Sequence, residues 1–174
     1  TASPTVAAAA TPAEIAQVRD AVLFGFPVYE MMRTRGATPR EFNRLAHRMR
    51  LSGPADRAVT APNNDTLYSS AWLDLAAGPV TLTMPSLPDR YHSVHMMDVF
   101  TDAFAVLGTR DGGGRGGTVL IVGPEWRDKA PAGTRLVRAT TNDVWIIVRT
   151  LVSGPADFDA AQAGQLGFSL SGGG

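Results

Sequence analysis

The sequence predicts an α+β domain: an antiparallel β-sandwich or barrel-like sheet of about seven strands, with an N-terminal and a C-terminal helix. Three observations predict this class. Apolar residues recur at helical spacing near the N-terminus, side chains alternate with a period of two from Asn63 onward, and Gly/Pro turns separate the short segments. Because the strands follow one another without intervening helices, an antiparallel arrangement is favoured over βαβ units.

Composition excludes several classes of protein. The chain has 174 residues, enough for one domain with a buried core, and its formal net charge is +0. This charge balance argues against a dedicated nucleic-acid binder, so no nucleic-acid partner is expected. The absence of Cys excludes disulfides and thiol chemistry. No apolar run approaches the roughly 20 residues of a membrane span.

Three segments are predicted along the chain. Residues 1–11 form an Ala/Thr/Pro-rich, flexible leader, which resembles the spacer that remains after a signal peptide is cleaved. This resemblance favours a periplasmic or secreted protein, although a frayed cytosolic tail has the same composition. Residues 12–168 form the single domain, and residues 169–174 a flexible tail.

The first helix begins at a capping box. Thr11 caps it, Pro12 suits its first position and Glu14 completes the box. Gly25 and Pro27 are expected to bend or interrupt it before it ends near Arg33. A stripe of large apolar residues recurs along it at helical spacing: Ile15, Val18, Val22, Phe26 and Tyr29.

Residues 33–57 are rich in Arg. They are interpreted as a solvated connection that contains a short helix around Phe42, Leu45 and Met49. An anion-binding or partner-binding face is the alternative. The predicted strands then follow: 67–75, 80–84, 91–98, 103–107, 118–122, 135–139 and 143–150.

Two glycine-containing segments lie farther along the chain. Residues 110–117 lack the Gly-Lys-Ser/Thr of a phosphate-binding loop and are predicted to be a flexible hairpin tip. Gly154-Pro155-Ala156-Asp157 begins the last helix, with Pro155 at its first position.

The polar turn from Ala61 to Asp65, which leads directly into a strand, is the strongest candidate for a site. Asn63 and Asp65 can bond their own backbone, which is a purely structural role. Alternatively they line a pocket with Tyr68, beside Trp72.

Arg149 is a second candidate, because it alternates with Trp145 and Ile147 on one face of a strand. Its charge needs a carboxylate or an opening to solvent. Either it pairs with a carboxylate of this chain or it clamps the carboxylate of a ligand. The carboxylates considered are those of Asp65, Asp74 and Asp98.

His92 and His95 are three residues apart on a strand, so they point to opposite faces and do not share a metal ion. Either could still act alone as a general base. There is no Gly-x-Ser-x-Gly nucleophile elbow. We expect neither a metal nor a cofactor.

The sequence resembles the domain of unknown function 1254 family through motifs spread over residues 13–168. The most specific is Pro62-Asn63-Asn64-Asp65-Thr66-Leu67-Tyr68-Ser69. The other motifs are Phe24-Gly25-Phe26-Pro27-Val28-Tyr29-Glu30, Phe42-Asn43-Arg44, Trp72-Leu73-Asp74-Leu75, Gly78-Pro79-Val80, Asp89-Arg90-Tyr91, Asp98, Gly108-Thr109-Arg110, Ile121-Val122-Gly123-Pro124, Thr141-Asn142, Val144-Trp145, Arg149-Thr150 and Gly154-Pro155-Ala156-Asp157.

The resemblance implies a β-sandwich-like fold and a largely uncharacterised function. It also implies a companion, the domain of unknown function 1214, which often follows in the same chain or a neighbouring gene. We therefore expect a stand-alone form whose partner is a separate chain with that domain, or another copy of itself. Asp143, His92 and His95 depart from the family's more apolar pattern, which weakens a catalytic role for either His.

Three functional hypotheses follow. The first is a binding or assembly module that docks a partner chain or itself and holds a small ligand near the polar turn. The second is a hydrolase acting on a small anionic or ester substrate, with Asp65 or a His as base and Arg as anion clamp. The third is a purely structural subunit. The candidate ligand-binding residues are Asn63, Asp65, Tyr68, Trp72, Arg90, Asp98, Arg110 and Arg149.

Overall fold

The computed structural model describes residues 9–37, 40–57 and 61–173, and the predicted α+β class with helices near both ends is confirmed. The helices in these ranges are α1 (Pro12–Ala37), α2 (Thr109–Gly112) and α3 (Phe158–Leu166), the last preceded by a 3-10 turn at Pro155–Asp157. The strands are β1 (Ala46–His47), β2 (Thr66–Asp74), β3 (Val80–Met84), β4 (His92–Met97), β5 (Ala103–Gly108), β6 (Gly117–Val122), β7 (Arg135–Arg138), β8 (Asp143–Leu151) and β9 (Ser169–Gly172). Most of the predicted leader, residues 1–8, lies outside the described residues.

The strands form two sheets that enclose the core. The first sheet has the order β1-β2-β8-β4-β5, and the second has the order β7-β6-β3-β9. All pairs are antiparallel except β6 with β7. Alternate residues of both sheets point inward, so their apolar side chains meet in one cluster. Its fully buried members include Leu73, Leu82, Ile121, Ile146 and Phe168.

The capping box of α1 is present. The Thr11 backbone N–H donates to Glu14 Oε2 at 2.7 Å, and the Glu14 N–H donates to Thr11 Oγ1 at 3.3 Å. The helix is continuous through Pro27 and reaches Ala37, so the predicted interruption and the end near Arg33 are both wrong. Most of α1 is exposed, and the carbonyl that loses its donor at Pro27 can bond water instead. Among the helices of the described ranges, none has the length and apolarity that a membrane crossing requires.

Two segments form strands that the sequence did not predict. Instead of a short helix around residues 42–49, Ala46 and His47 pair with β2 as an edge strand. Asn43 turns the chain there, with a φ of 58°, and its Oδ1 accepts from Asp74 N at 3.0 Å. Ser169–Gly172, expected to be part of a flexible tail, pairs with β3, and Leu170 packs on the core. These neighbours, distant in sequence, supply the hydrogen bonds that hold both segments as strands.

The glycine loop is not a hairpin tip. It follows β5 in the first sheet and leads to β6 in the second, and its start is the single-turn helix α2. A hairpin would require its two flanking strands to pair, and these strands lie in different sheets.

Candidate functional site

The outer face of the first sheet carries the candidate site. Along β8 the residues alternate, so Trp145, Ile147 and Arg149 point outward while their neighbours are buried. Cross-strand pairing places Tyr68 of β2 and Ser93 of β4 beside Arg149. The face therefore combines one cation with aromatic and apolar side chains.

Arg149 lies against Tyr68 and has no carboxylate partner within ion-pair distance among residues 9–37, 40–57 and 61–173. Its guanidinium carbon is 5.4 Å from the centroid of the Tyr68 ring, within range of a cation–π contact. Of the two outcomes considered from the sequence, the described residues lack the internal ion pair, and the clamp on a ligand carboxylate stays a prediction.

A cavity of about 600 Å³ opens beside Arg149, and we call it the Arg149 cavity. Its lining residues come from the Arg-rich connection, the polar turn and strands β2 and β8: Arg48, Ser52, Ala61, Pro62, Asn63, Tyr68, Trp145, Ile147 and Arg149. Part of this lining is apolar or aromatic, and its polar side chains, such as those of Arg149, Asn63 and Ser52, offer N–H and O–H groups. Such a lining suits a small molecule with an apolar body and an anionic end.

Arg48 is the second cation of this cavity, but it is already engaged. Its Nη1 donates to Ser52 Oγ at 3.1 Å, and its Nη2 lies 2.6 Å from Asp56 Oδ1. That second contact is an ion pair without hydrogen-bond geometry, since the buried Nη2 has no accepting partner. Asp56 also accepts two hydrogen bonds from Arg50, and this contact is the main reason why the pKa of Asp56 is lowered. Arg149 is therefore the less compensated of the two cations.

The polar turn separates two cavities. Asn63 Oδ1 accepts from the Asp65 N–H at 2.8 Å, and the Asp65 carbonyl accepts from Val152 N at 2.8 Å, which fixes the turn to the end of β8. Asn63 lines the Arg149 cavity, whereas Asn64 and Asp65 line a second cavity of about 590 Å³. Asp65 and Arg149, both candidate ligand-binding residues, therefore line different cavities.

Trp72 lies beside Trp145 on the outer face of the first sheet. It is buried and stacks on Trp145 with ring centroids 5.0 Å apart and an interplanar angle of 11°. Trp145 Nε1 donates to Ser70 Oγ at 2.8 Å, which fixes the orientation of the ring. Trp72 lines a small cavity of about 100 Å³ together with Thr34, and it is not among the residues that line the Arg149 cavity. Trp145 is thus the tryptophan that a ligand in the Arg149 cavity meets.

Arg90 has a structural partner. It donates through both terminal nitrogens to Asp157, each at 2.6 Å, and also to the Leu151 carbonyl at 2.6 Å. The hydrogen bonds from Arg90 are the largest cause of the lowered pKa of Asp157, followed by the one from the Ser153 N–H. Arg90 thereby ties the start of β4 to the start of the C-terminal helical segment and is not available to a ligand.

Asp98 and Arg110 also lie away from the Arg149 cavity. Asp98 is buried, and its carboxylate accepts from Phe100 N, Asp102 N and Thr140 Oγ1 at 2.9, 3.0 and 2.6 Å. These bonds close the turn after β4. Arg110 is exposed on α2. Neither residue lines the Arg149 cavity.

The two histidines face opposite sides of β4, as their spacing predicts. His92 is buried and forms a T-shaped contact with Phe168, with ring centroids 5.7 Å apart, and its Nδ1 donates to the Arg90 carbonyl at 3.1 Å. His95 points outward, and its pKa is lowered by partial burial and, to a lesser extent, by the positive charge of Arg149. Among the described residues, no three His, Asp or Glu side chains converge as metal ligands would.

Sequence reasoning missed Arg48, Ser52, Trp145 and Ile147 as lining residues. Two of them carried a signal, since Trp145 and Ile147 alternate with Arg149 and must share its face. Arg48 and Ser52 belong to residues 33–57, for which the sequence offered an anion-binding face as the alternative. Which residues of that connection reach the cavity depends on the edge pairing of β1 with β2.

The fold is also found in a solved structure. A structural-genomics protein from Vibrio parahaemolyticus, VPA0106, matches with a TM-score of 0.75 and 25% identity, over 87% of this chain and 36% of that chain. A putative uncharacterised protein from Burkholderia cenocepacia matches with a TM-score of 0.43 and 16% identity, over 66% of this chain and 33% of that chain. The present chain thus spans about a third of the length of these relatives.

No curated protein matches the chain. A protein-family model described as "Protein of unknown function (DUF1254)" matches residues 42–172, which include the polar turn and strands β1 to β9 of the described ranges. The resemblance noted in the sequence is thereby confirmed, and the chain belongs to the DUF1254 family.

Proposed function

We propose that this chain is a binding module that holds a small amphipathic anion in the Arg149 cavity. One observation carries the proposal: Arg149 lies over Tyr68 on the cavity wall, and no described carboxylate compensates its charge. A carboxylate is the expected partner because a guanidinium offers it two parallel hydrogen bonds.

The remaining lining fits the same ligand class. The side-chain amide of Asn63 and the hydroxyl of Tyr68 supply further donors near the anionic end. Trp145 and Ile147 supply an apolar surface for the body of the ligand. The geometry favours binding over the hydrolase alternative, since Asp65 faces the second cavity and neither His92 nor His95 is among the residues that line the Arg149 cavity.

Calorimetric titration with matched probes tests this proposal. Octanoate and 4-phenylbutyrate should bind, whereas octanol and octylamine should bind much more weakly because they lack the anion. Arg149→Met should lower octanoate affinity by roughly 10-fold or more, as expected for a lost charge-assisted hydrogen bond. Arg127→Met is the matched control, because Arg127 is exposed and outside the cavity. Equal affinity for octanoate and octanol would contradict the proposal.

The second function that we propose is assembly with a protein partner: a second copy, or a separate chain that carries the domain of unknown function 1214. The supporting observation is the exposure of large apolar side chains along α1, such as Val18 at 64% and Phe24 at 72%. We also propose that the protein is exported to the periplasm or secreted, on the composition of residues 1–11. Native mass spectrometry of the protein from its source tests the assembly, and cell fractionation tests the export.

A further inference from the structure

The second cavity, which the polar turn borders through Asn64 and Asp65, has a largely apolar lining. Its volume is about 590 Å³, a size that accommodates a small organic molecule. The apolar side chains of this lining come from the Arg-rich connection and from the segment after β8: Leu51, Val152, Pro155 and Phe158. Three of these four also belong to the smaller apolar cluster around Leu67, which holds them in place. The cavity therefore offers an ordered apolar surface to the body of a ligand.

Two carboxylates, those of Asp65 and Asp159, line the same cavity. Neither forms an ion pair with any residue of the described ranges. All 16 Lys and Arg residues of the chain lie within those ranges, so no Lys or Arg side chain lies within ion-pair distance of either carboxylate. The fold therefore leaves both negative charges without a partner.

The fold uses the backbone of Asp65 rather than its carboxylate. Its N–H donates to Asn63 Oδ1 and its carbonyl accepts from Val152 N, both at 2.8 Å. Asp157 shows the contrast, because its carboxylate accepts from Arg90 and from the Ser153 N–H. Neither Asp65 nor Asp159 has such a bond to its carboxylate among the described residues. An Asn at either position would therefore keep the hydrogen bonds that hold the turn and the start of α3.

The charge of the cavity is negative on balance. The first turn of α3 contributes the equivalent of only about half a positive charge, against two carboxylates. Two arginines donate to carbonyls at or next to lining residues, but Arg90 is paired with Asp157 and Arg50 with Asp56. The cavity therefore favours a ligand with a positive charge.

We infer that the second cavity binds a small organic cation, in which an ammonium group is attached to an apolar body. The carboxylates of Asp65 and Asp159 attract the ammonium group, and the body lies against Val152 and Phe158. This site is separate from the Arg149 cavity, so the two sides of one turn take ligands of opposite charge. Both carboxylates are exposed whereas Arg149 is half-buried, so water weakens this site more than the other.

NMR titration with a matched pair of probes tests the inference. 2-Phenylethylamine is protonated at neutral pH, whereas 2-phenylethanol has nearly the same shape without the charge. The amine should shift the backbone amide signals of Val152, Gly154 and Phe158, and it should bind roughly five-fold more tightly than the alcohol. Equal affinity for the two probes, or amide shifts confined to other parts of the chain, would overturn the inference.

Isosteric variants test the two carboxylates. Asp65→Asn and Asp159→Asn should each lower the affinity for the amine about two-fold, and the double variant about five-fold. Asp128→Asn is the matched control, because Asp128 is exposed, lines neither cavity and has no ion pair among the described residues. A double variant that binds the amine as the natural protein does would contradict the inference.

Salt dependence of the natural protein provides a test without a substitution. Raising NaCl from about 20 mM to about 500 mM should weaken binding of the amine but not of the alcohol, because exposed charges are screened. An amine affinity that does not change with salt would overturn the inference.

Exchanging the probes between the two sites separates this inference from the ligand proposal. The double Asp variant should bind octanoate as the natural protein does, and Arg149→Met should bind 2-phenylethylamine as the natural protein does. The weak binding expected of octylamine belongs to the second cavity. Loss of amine binding in Arg149→Met would place the cation in the Arg149 cavity and overturn the inference. Failure of octanoate binding in a protein that binds the amine refutes only the ligand proposal.

Discussion

Arg90 and Arg149 are associated with neighbouring strands of one sheet but have opposite surroundings. Arg90 precedes β4 and donates hydrogen bonds to Asp157 and the Leu151 carbonyl. Arg149 lies on β8, where Tyr68 and a cavity surround it and no described carboxylate lies within ion-pair distance. Both residues were candidate ligand-binding residues in the sequence. The comparison shows that the partner already present, and not the residue type, decides whether an arginine is available to a ligand.

Arg90→Met should have the largest effect on stability. It removes a hydrogen bond from a charged donor to the Leu151 carbonyl, and such bonds contribute about 1.5–3 kcal/mol. We expect the free energy of unfolding, measured by urea denaturation, to fall by about 2 kcal/mol. Octanoate affinity at a temperature where the variant is folded should change little.

Arg149→Met is the matched control for that experiment. Because Arg149 forms no ion pair among the described residues, the unfolding free energy of this variant should stay within about 0.5 kcal/mol of that of the natural protein. If Arg149→Met were as destabilising as Arg90→Met, the distinction between a structural arginine and an available one would be refuted.

The strands of the fold could be predicted because a period of two is a local signal. Residues 143–150 alternate so regularly that their inner and outer faces were evident from the sequence. The two short edge strands could not be predicted in this way. Ala46 and His47 are too few to show a period, and Ser169–Gly172 contains a single large apolar residue. Both become strands only because β2 and β3 offer them hydrogen-bonding edges.

The site was predictable in part. Asn63, Tyr68 and Arg149 were candidates, and they do line one cavity. The direction of Asp65 was not predictable, because it depends on how the turn bonds to Val152 at the end of β8. The pairing of Arg90 with Asp157 joins residues 67 positions apart, so no local pattern reveals it.

Trp145→Leu tests the surroundings of Arg149, and its expected effect is smaller than that of Arg90→Met. The stacked pair with Trp72 is worth about 1 kcal/mol beyond its buried area, and Trp145 also forms the apolar wall beside Arg149. We expect octanoate affinity to fall several-fold by calorimetry. Trp72→Leu loses the same stack but a more buried ring, so it should lower the unfolding free energy more and the octanoate affinity less. If Trp72→Leu lowered octanoate affinity more than Trp145→Leu does, the ligand would bind outside the Arg149 cavity.

The smallest expected effect is the influence of Arg149 on His95. Partial burial is the main cause of the lowered pKa of His95, and the uncompensated charge of Arg149 adds to it. Arg149→Met should therefore raise that pKa towards its ordinary value of about 6.5 without fully restoring it, as NMR titration of the ring protons would show.

The sign of the linked effect on stability follows from the same shift. Unfolded His95 binds its proton near pH 6.5, whereas folded His95 binds it only at lower pH. Between the folded-state pKa and about pH 6.5, the unfolded state binds more protons than the folded state. The free energy of unfolding therefore falls as the solution is acidified through this range, and it levels off once the folded ring is also protonated. Burial lowers the pKa of His47 in the same direction, so the contribution of His95 must be isolated with His95→Gln. The difference between natural protein and His95→Gln should shrink in the Arg149→Met background. An unchanged difference would mean that the charge of Arg149 is compensated in solution, and the contrast with Arg90 would then fail.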